Sequence, residues 1–295
     1  MKFRQVTALC CSLFVSAFLA AAPATAANPG GLAFKYQTNV SLYGKPTGLM
    51  VTGRCNRYAT EFATMRAKGG EVIAYLNATS RPDNRVCSLD QAFYMNNYGA
   101  VPLWPWPSYG QRSIWPGTKM IDMRAGSKWN LWVVSYVEKL MREKKVDGVF
   151  LDVIGARPYN QSNWTAWPQW EKDAWTNGAI DLVRRIDAKR RAINPNFIVM
   201  NNSVWSTNGT LGLAGEKYVD GVAIEGHTLN AYHLNYIKKP FSNLGHKRTF
   251  IISRSSADAK AWSTTGVPTH VTYQPLDHYA YPLAPVVGFK ALTDR

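Results

Sequence analysis

Short apolar runs rich in β-branched residues alternate with amphipathic helical stretches through most of this chain. Residues 129–144 carry apolar side chains at a helical period, and the nearly continuous apolar run 146–153 is typical of a strand buried on both faces of a parallel sheet. Helices are also predicted over 57–68 and 170–193. The alternation favours an α/β fold of the (β/α)8 TIM-barrel type over an open doubly wound sheet. The predicted strands cover residues 48–51, 71–76, 119–123, 146–153, 197–200, 218–225 and 248–253.

The last unit of the barrel is expected to be irregular, because the tail from residue 266 onward is loop-rich. No linker rich in Pro, Gly or Ser divides the chain, so residues 27–295 are predicted to form a single domain. Neither GxGxxG nor GxxxxGK[ST] follows a predicted strand, which removes the usual evidence for a nucleotide-binding sheet.

Residues 1–26 have the pattern of a secretory signal peptide. A basic start precedes an apolar stretch, and Ala24, Thr25 and Ala26 supply the small residues that a signal peptidase reads. We expect cleavage after Ala26 and a secreted or periplasmic monomer with no stable membrane insertion. An uncleaved N-terminal anchor is the alternative.

The chain is basic, with 34 Lys and Arg residues against 19 Asp and Glu residues. Loss of Lys2 and Arg4 with the signal peptide lowers the formal net charge from +15 to +13. Such a charge suits an anionic polymer as partner. The basic residues in 184–191 nevertheless alternate with acids at helical spacing, which indicates a solvated helix face. No nucleic-acid-binding motif accompanies the charge, so nucleic acid is not expected as a partner.

Signal cleavage leaves two cysteines, Cys55 and Cys87. In an oxidising compartment two cysteines suggest one disulfide, and two buried free thiols are the alternative. Neither HExxH nor a pair of CxxC motifs is present, so no metal and no cofactor are expected.

Three acids follow apolar strand positions: Asp122, Asp152 and Glu225. The active site of a parallel barrel lies at the carboxyl ends of its strands, and an ionisable group there is costly to bury unless it is paired or used. Asp152 and Glu225 could instead cap helices or form ion pairs, for instance with Arg157, and Asp122 could pair with Arg124. The acids on the predicted helices are expected to be solvated: Glu138, Glu143, Glu171, Asp173, Asp181 and Asp187.

Two carboxylates without a metal or phosphate signature suit the hydrolysis of glycosidic bonds. One must be a protonated acid that donates to the leaving oxygen, and the other must be ionised to attack the anomeric carbon or activate water. We assign Asp152 as nucleophile or base and Glu225 as general acid/base, with the reverse assignment possible. No GxSxG motif supports a serine hydrolase.

Nine of the eleven tryptophans fall in two short windows, 104–132 and 164–175. Trp104, Trp106 and Trp164 lie in predicted loops, where flat aromatic faces could stack on sugar rings. Core packing is the interpretation for Trp129, Trp132 and Trp175, which fall on predicted helical faces, and it remains the alternative for the three loop tryptophans. We also assign further polar or aromatic residues at strand ends to substrate binding, with turn formation or a structural role as the alternative: Tyr75, Asn77, Asp122, Arg124, Asn201 with Asn202, and His227.

The succession KMIDMR, VDGVFLDV, FIVMNNS and VAIEGH, which runs in order from about residue 71 to 227, resembles the endo-α-1,4-polygalactosaminidases and related barrel glycoside hydrolases. The resemblance implies that Asp152 and Glu225 are the catalytic pair and that Asp122 belongs to the same cleft. It also implies a polysaccharide substrate, an amino-sugar or an acidic polymer. A glycan-binding protein that has lost catalysis, and a basic protein that binds anionic polymers by charge, remain the alternatives.

Overall fold

The structure is a computed structural model. It describes residues 32–35, 49–53, 63, 66–67, 71–81, 103–106, 119–158, 164–202, 212–225, 248–253, 257, 261 and 270–273. The predicted signal peptide, both cysteines and His227 lie outside these residues. In the described part of the chain, no helix is long and apolar enough to cross a membrane.

Eight parallel strands form one sheet, and its first and last strands lie next to each other, so the sheet closes into a barrel. The predicted TIM-type barrel is confirmed. Its strands, in spatial order, are β1 (Leu32–Lys35), β2 (Leu49–Gly53), β3 (Glu71–Asn77), β6 (Gly148–Asp152), β7 (Ile198–Asn201), β8 (Gly221–Glu225), β9 (Arg248–Ser253) and β10 (His270–Tyr273).

The predicted strand 119–123 is not part of the barrel. Its first residues form β5 (Lys119–Met120), which pairs antiparallel with β4 (Ser80–Arg81) just beyond the end of β3. Residues 32–35 and 270–273, in contrast, are barrel strands that the sequence analysis missed. The last unit therefore supplies a regular strand rather than only loops.

Two long helices cover the strands that matter most for the site: α1 (Lys128–Glu143) and α2 (Gln169–Ile193). Their extents match the predicted 129–144 and 170–193. Val149 and Leu151 of β6 belong to the same apolar core as the helix residues Val137 and Leu182. Because neighbouring strand residues face opposite sides, Phe150 and Asp152 lie on the other face, toward the barrel interior. A short helix, α3 (Gly212–Glu216), precedes β8.

The same contact occurs twice at the N-terminal end of the barrel, in two Val-Asp-Gly segments. The Asp147 backbone N–H donates to Val72 O (2.7 Å), while Val72 N–H donates back to the Asp147 carboxylate (2.9 Å). Asp220 and Val199 repeat this reciprocal pair, at 2.7 Å in both directions. Each aspartate thereby binds the backbone near the start of the neighbouring strand. We call these two contacts the strand clamps.

An arginine completes each strand clamp. Arg66 donates through Nε to Asp147 (2.9 Å), and Arg190 of α2 binds both Asp220 and Asp187. Burial lowers the pKa of the Arg190 guanidinium, but the charges of Asp220 and Asp187 outweigh burial and raise it. The guanidinium is therefore firmly charged, and Asp187, predicted to be solvated, is buried beside it.

We expect Asp220→Ala to lower the free energy of unfolding by about 2–3 kcal/mol, because it leaves the Val199 N–H and part of the Arg190 guanidinium without an acceptor. Urea unfolding measures this loss. Asp173→Ala is the control, since Asp173 is exposed on α2 and should cost less than about 0.5 kcal/mol. Equal losses in the two variants would contradict a role of the clamp in stability.

Candidate functional site

Asp152, the last residue of β6, lies at the carboxyl end of the barrel with 8% of its surface exposed. Its Oδ2 accepts a hydrogen bond from the Tyr75 hydroxyl (2.5 Å). Its Oδ1 accepts from Asn202 Nδ2 (2.9 Å) and from the backbone N–H of Val153 (2.9 Å). Hydrogen bonds donated to a carboxylate favour its ionised form, and these donors fix the orientation of the Asp152 side chain.

The two strands that flank β6 bring these donors to Asp152. Tyr75 of β3 is the register partner of Phe150, and the two rings stack with centroids 6.2 Å apart. On the other side, Asn202 follows the last residue of β7, and its backbone N–H donates to Leu151 O (2.9 Å). The parallel ladder therefore continues one residue past β7 and sets the amide of Asn202 beside the carboxylate.

Val153 has a left-handed backbone, with φ of 58°. This conformation is strained for a β-branched residue, and such strain concentrates at functional sites. It accompanies the hydrogen bond from the Val153 N–H to the carboxylate one residue earlier. The chain turns off the barrel here, and Val153 and Ile154 are both buried. Packing therefore holds the strained residue in place.

Glu225 is the last residue of β8, and the backbone register relates its position to that of Asp152. Phe150 pairs with Met200, and Met200 pairs with Gly221, so these three positions share one face of the sheet. Asp152 lies two residues after Phe150 and Glu225 four residues after Gly221, which places both on that face. The structure describes the backbone of Glu225 and not its side chain.

Asp122 forms an ion pair with Arg124, as the structural alternative supposed. Its carboxylate accepts from Arg124 Nε (2.9 Å), Nη2 (2.7 Å) and the backbone N–H (3.1 Å). The hydrogen bond to Asp122 raises the pKa of the Arg124 guanidinium, against a smaller opposing effect of burial. Asp122 is buried and its charge is balanced, whereas Arg124 is exposed and lies over the Trp106 ring, 5.3 Å from its centroid.

The tryptophans occupy different depths. Trp104 is a core residue with 7% of its surface exposed, and its Nε1 donates to Glu171 (2.7 Å). Its ring is thus not available to stack on a sugar. Trp106 and Trp164 are half-buried, while Trp170, which the sequence analysis did not single out, is the exposed member of the group. The sequence pattern does not distinguish the exposure of a tryptophan in a loop from that of a tryptophan in the first turn of a helix.

The two asparagines at the end of β7, Asn201 and Asn202, contact different partners. Asn201 is fully buried, and its Nδ2 lies 3.4 Å from the Glu216 carboxylate, so its amide is turned away from Asp152. Asn202 is the one that contacts Asp152. Strand alternation, applied to the pair, is the signal that would have distinguished them. Asn77 ends β3 as the register partner of Asp152, and its side chain is outside the described residues.

Three acids on α2 that were expected to be solvated, Glu171, Asp181 and Asp187, are buried. Asp181 binds Arg184, Arg185 and the Gly126 N–H; burial raises its pKa, but these hydrogen bonds outweigh burial and lower it overall.

No ion pair between Arg157 and Asp152 is seen among the described residues, and Arg157 Nε has no hydrogen-bond partner there. In that same part of the chain, no group of three or more His, Cys, Asp or Glu side chains is arranged to hold a metal ion.

Solved structures with the same fold are glycoside hydrolases. The glycoside hydrolase domain of PelA from Pseudomonas aeruginosa is 13% identical, with a TM-score of 0.56 over 86% of this chain and 98% of that one. Ega3 of Aspergillus fumigatus, in complex with galactosamine, is 12% identical, with a TM-score of 0.55 over 88% and 95%. A cycloalternan-degrading enzyme from Trueperella pyogenes is 12% identical, with a TM-score of 0.51 over 86% and 42%.

The chain shares the barrel fold of these enzymes. The resemblance to polygalactosaminidase-type hydrolases is thereby confirmed at the level of the fold. No family model matches the chain, and no curated protein is similar to it in sequence.

The strain at Val153 predicts an inverted order of stability between two variants. Val153→Gly and Val153→Ala both remove the side-chain methyls, but only glycine adopts a positive φ without cost. We expect Val153→Gly to be more stable than Val153→Ala by about 1 kcal/mol in urea unfolding. At Val149, a β6 residue with ordinary strand geometry, the alanine variant should be the more stable one. The same order at both positions would contradict the strain.

Proposed function

We propose that this protein is an exported glycoside hydrolase that cleaves a polysaccharide, with Asp152 and Glu225 as its catalytic pair. The observation that carries the proposal is the environment of Asp152. A buried carboxylate at the carboxyl end of a barrel strand accepts hydrogen bonds from Tyr75, Asn202 and the Val153 N–H. These contacts suit the ionised partner of a glycosidase pair.

The assignment of roles follows from that environment. Asp152, in its ionised form, acts as the nucleophile or as the base that activates water, and Glu225 acts as the acid that protonates the leaving oxygen. Tyr75 and Asn202 orient Asp152 and are placed to contact the sugar ring beside it. The shared sheet face of the two acidic positions supports their pairing.

The substrate class is proposed from the structures that share the fold and from the net charge of this chain. Ega3 is described with galactosamine bound, which makes an amino-sugar polymer the first choice. The net charge of +15 makes an acidic polymer the second. An N-terminal segment with the signal-peptide pattern is consistent with action outside the cytoplasm on either polymer.

Asp152→Asn should lower kcat on the cleaved polysaccharide by at least about a thousandfold, because the amide supplies neither a nucleophile nor a base. Glu225→Gln should cause a comparable loss on substrates with poor leaving groups. Reducing-end release from a panel of soluble polysaccharides measures both. Glu143→Gln, a change at the last residue of α1, is the matched control and should retain full activity.

The stereochemistry of the wild-type product separates the two possible roles of Asp152. If Asp152 is the nucleophile, the first-formed sugar product should retain the anomeric configuration of the substrate. If Asp152 is the base of an inverting reaction, wild-type hydrolysis should invert the anomeric centre. Activity in Asp152→Asn equal to wild type would contradict the proposal. A wild type that binds glycans without turnover would favour the glycan-binding alternative.

A further inference from the structure

We propose that Trp106, Trp164 and Trp170, here called the tryptophan surface, form a binding site for an extended glycan chain beside the catalytic carboxylates. The inference rests on the proposed function and deepens it. It predicts a polymer substrate whose sugar units are also bound at positions away from the cleaved bond. Its defining residue, Trp170, was not among the predicted site residues.

The tryptophan surface is the outer layer of a continuous cluster of indoles. Trp170 packs edge-on against Trp106 (4.6 Å between centroids), and Trp106 against Trp104 (5.0 Å). Trp104 stacks on Trp167 (5.9 Å), which contacts Trp164 (5.0 Å). The chain of rings therefore runs from the surface, through the core and back to the surface.

Exposure divides the cluster sharply. The inner rings, Trp104 and Trp167, are buried, whereas Trp170 has 55% of its surface exposed. Among the described residues the exposed large hydrophobic side chains are Trp170 and Leu131, the latter at 44%. Leaving this much indole in water is unfavourable in the free protein, and a ligand that covers the ring would recover that free energy.

The buried carboxylate of Glu171 anchors Trp104, an inner ring of the cluster. Glu171 stands at the third position of α2, where a glutamate ordinarily reaches back to the N–H of the capping residue. Here that residue is Pro168, which has no N–H, and the Glu171 side chain turns inward instead. With 1% of its surface exposed, it accepts from Trp104 Nε1 (2.7 Å), while its Oε2 has no partner in the described part of the chain. An anchored platform loses little entropy when it binds.

The surroundings of the outer rings fit a sugar chain. Arg124 lies over the Trp106 ring, 5.3 Å from its centroid. At the start of α2, Gln169 precedes Trp170, and Lys172 and Asp173 follow it. Flat indole faces next to such side chains match the apolar C–H face and the hydroxyl rim of a pyranose ring.

The segments that carry the tryptophan surface contact the loops that follow β3 and β6. Ile121, next to β5, donates its N–H to Thr79 O just past the end of β3, and Trp104 N–H donates to Met120 O. Trp175 and Thr176 of α2 donate to the carbonyls of Gly155 and Ala156 in the loop after β6. A chain that enters the site at Asp152 would therefore continue over the two elements that present the indoles.

The test uses the whole chain carrying Asp152→Asn, so that binding is measured without cleavage. Its probes are soluble polymers of galactosamine, of N-acetylgalactosamine and of a uronic acid, together with their trisaccharides. We expect Trp170→Ala to weaken binding of the best polymer about tenfold, and Trp170→Phe to restore most of it. Leu131→Ala, the matched exposed hydrophobic, should bind as the parent does. Thermal unfolding of each variant checks that the fold is intact.

In the active enzyme, Trp170→Ala should lower kcat/KM on the polymer about tenfold more than on the trisaccharide. Unchanged polymer binding in Trp170→Ala, a loss equal to that of Leu131→Ala, or a parent that binds none of the polymers would overturn the inference. Hydrolysis that does not depend on Trp170 would contradict the role of the tryptophan surface in binding but would agree with the proposed hydrolase function. Polymer binding that depends on Trp170, in a protein without turnover, would support the binding role and contradict the hydrolase function.

Discussion

The arrangement of this barrel depends on two aspartates that bind the backbone of the neighbouring strand. In both strand clamps the Val-Asp-Gly segment exchanges hydrogen bonds with the strand before it, and an arginine neutralises the aspartate. Each clamp lies five residues before an acid: Asp147 before Asp152, and Asp220 before Glu225. Since a slip of one residue would turn either acid to the other face of the sheet, the clamps determine where both proposed catalytic groups stand.

The two ends of β6 have opposite physical characters. At the N-terminal end Asp147 accepts hydrogen bonds from Arg66 and from the Val72 N–H, and its own backbone N–H donates to Val72 O. At the carboxyl end Val153 is held in a left-handed conformation, and donors from three elements converge on one buried carboxylate. Barrel enzymes in general use one end of the barrel for stability and the other for chemistry. The proposed site lies at the end that carries the strained residue.

Much of this architecture could be predicted from the sequence because its signals are local. The helical period gave the extents of α1 and α2, and the buried run before Asp152 identified β6. The pairing of strands that are distant in sequence could not be predicted. The pattern of residues 119–123 is typical of a barrel strand, yet the first two of these residues pair with Ser80–Arg81 outside the barrel. Periodicity likewise places Glu171 on a helix but does not show that Pro168, lacking an N–H, leaves its carboxylate to bind Trp104. Trp104 was expected in a cleft and is buried, because its loop packs against α2.

Helix α2 connects these features as a single rod. Its 25 residues span about 37 Å, and Trp170 in the first turn lies about 30 Å along the axis from Arg190 near the end. One end presents an indole at the tryptophan surface, and the other holds Asp220 at the foot of β8. Both ends of the helix are therefore tied to other parts of the barrel. The proposed polymer-binding surface and the contact that aligns β8 are joined through one continuous element.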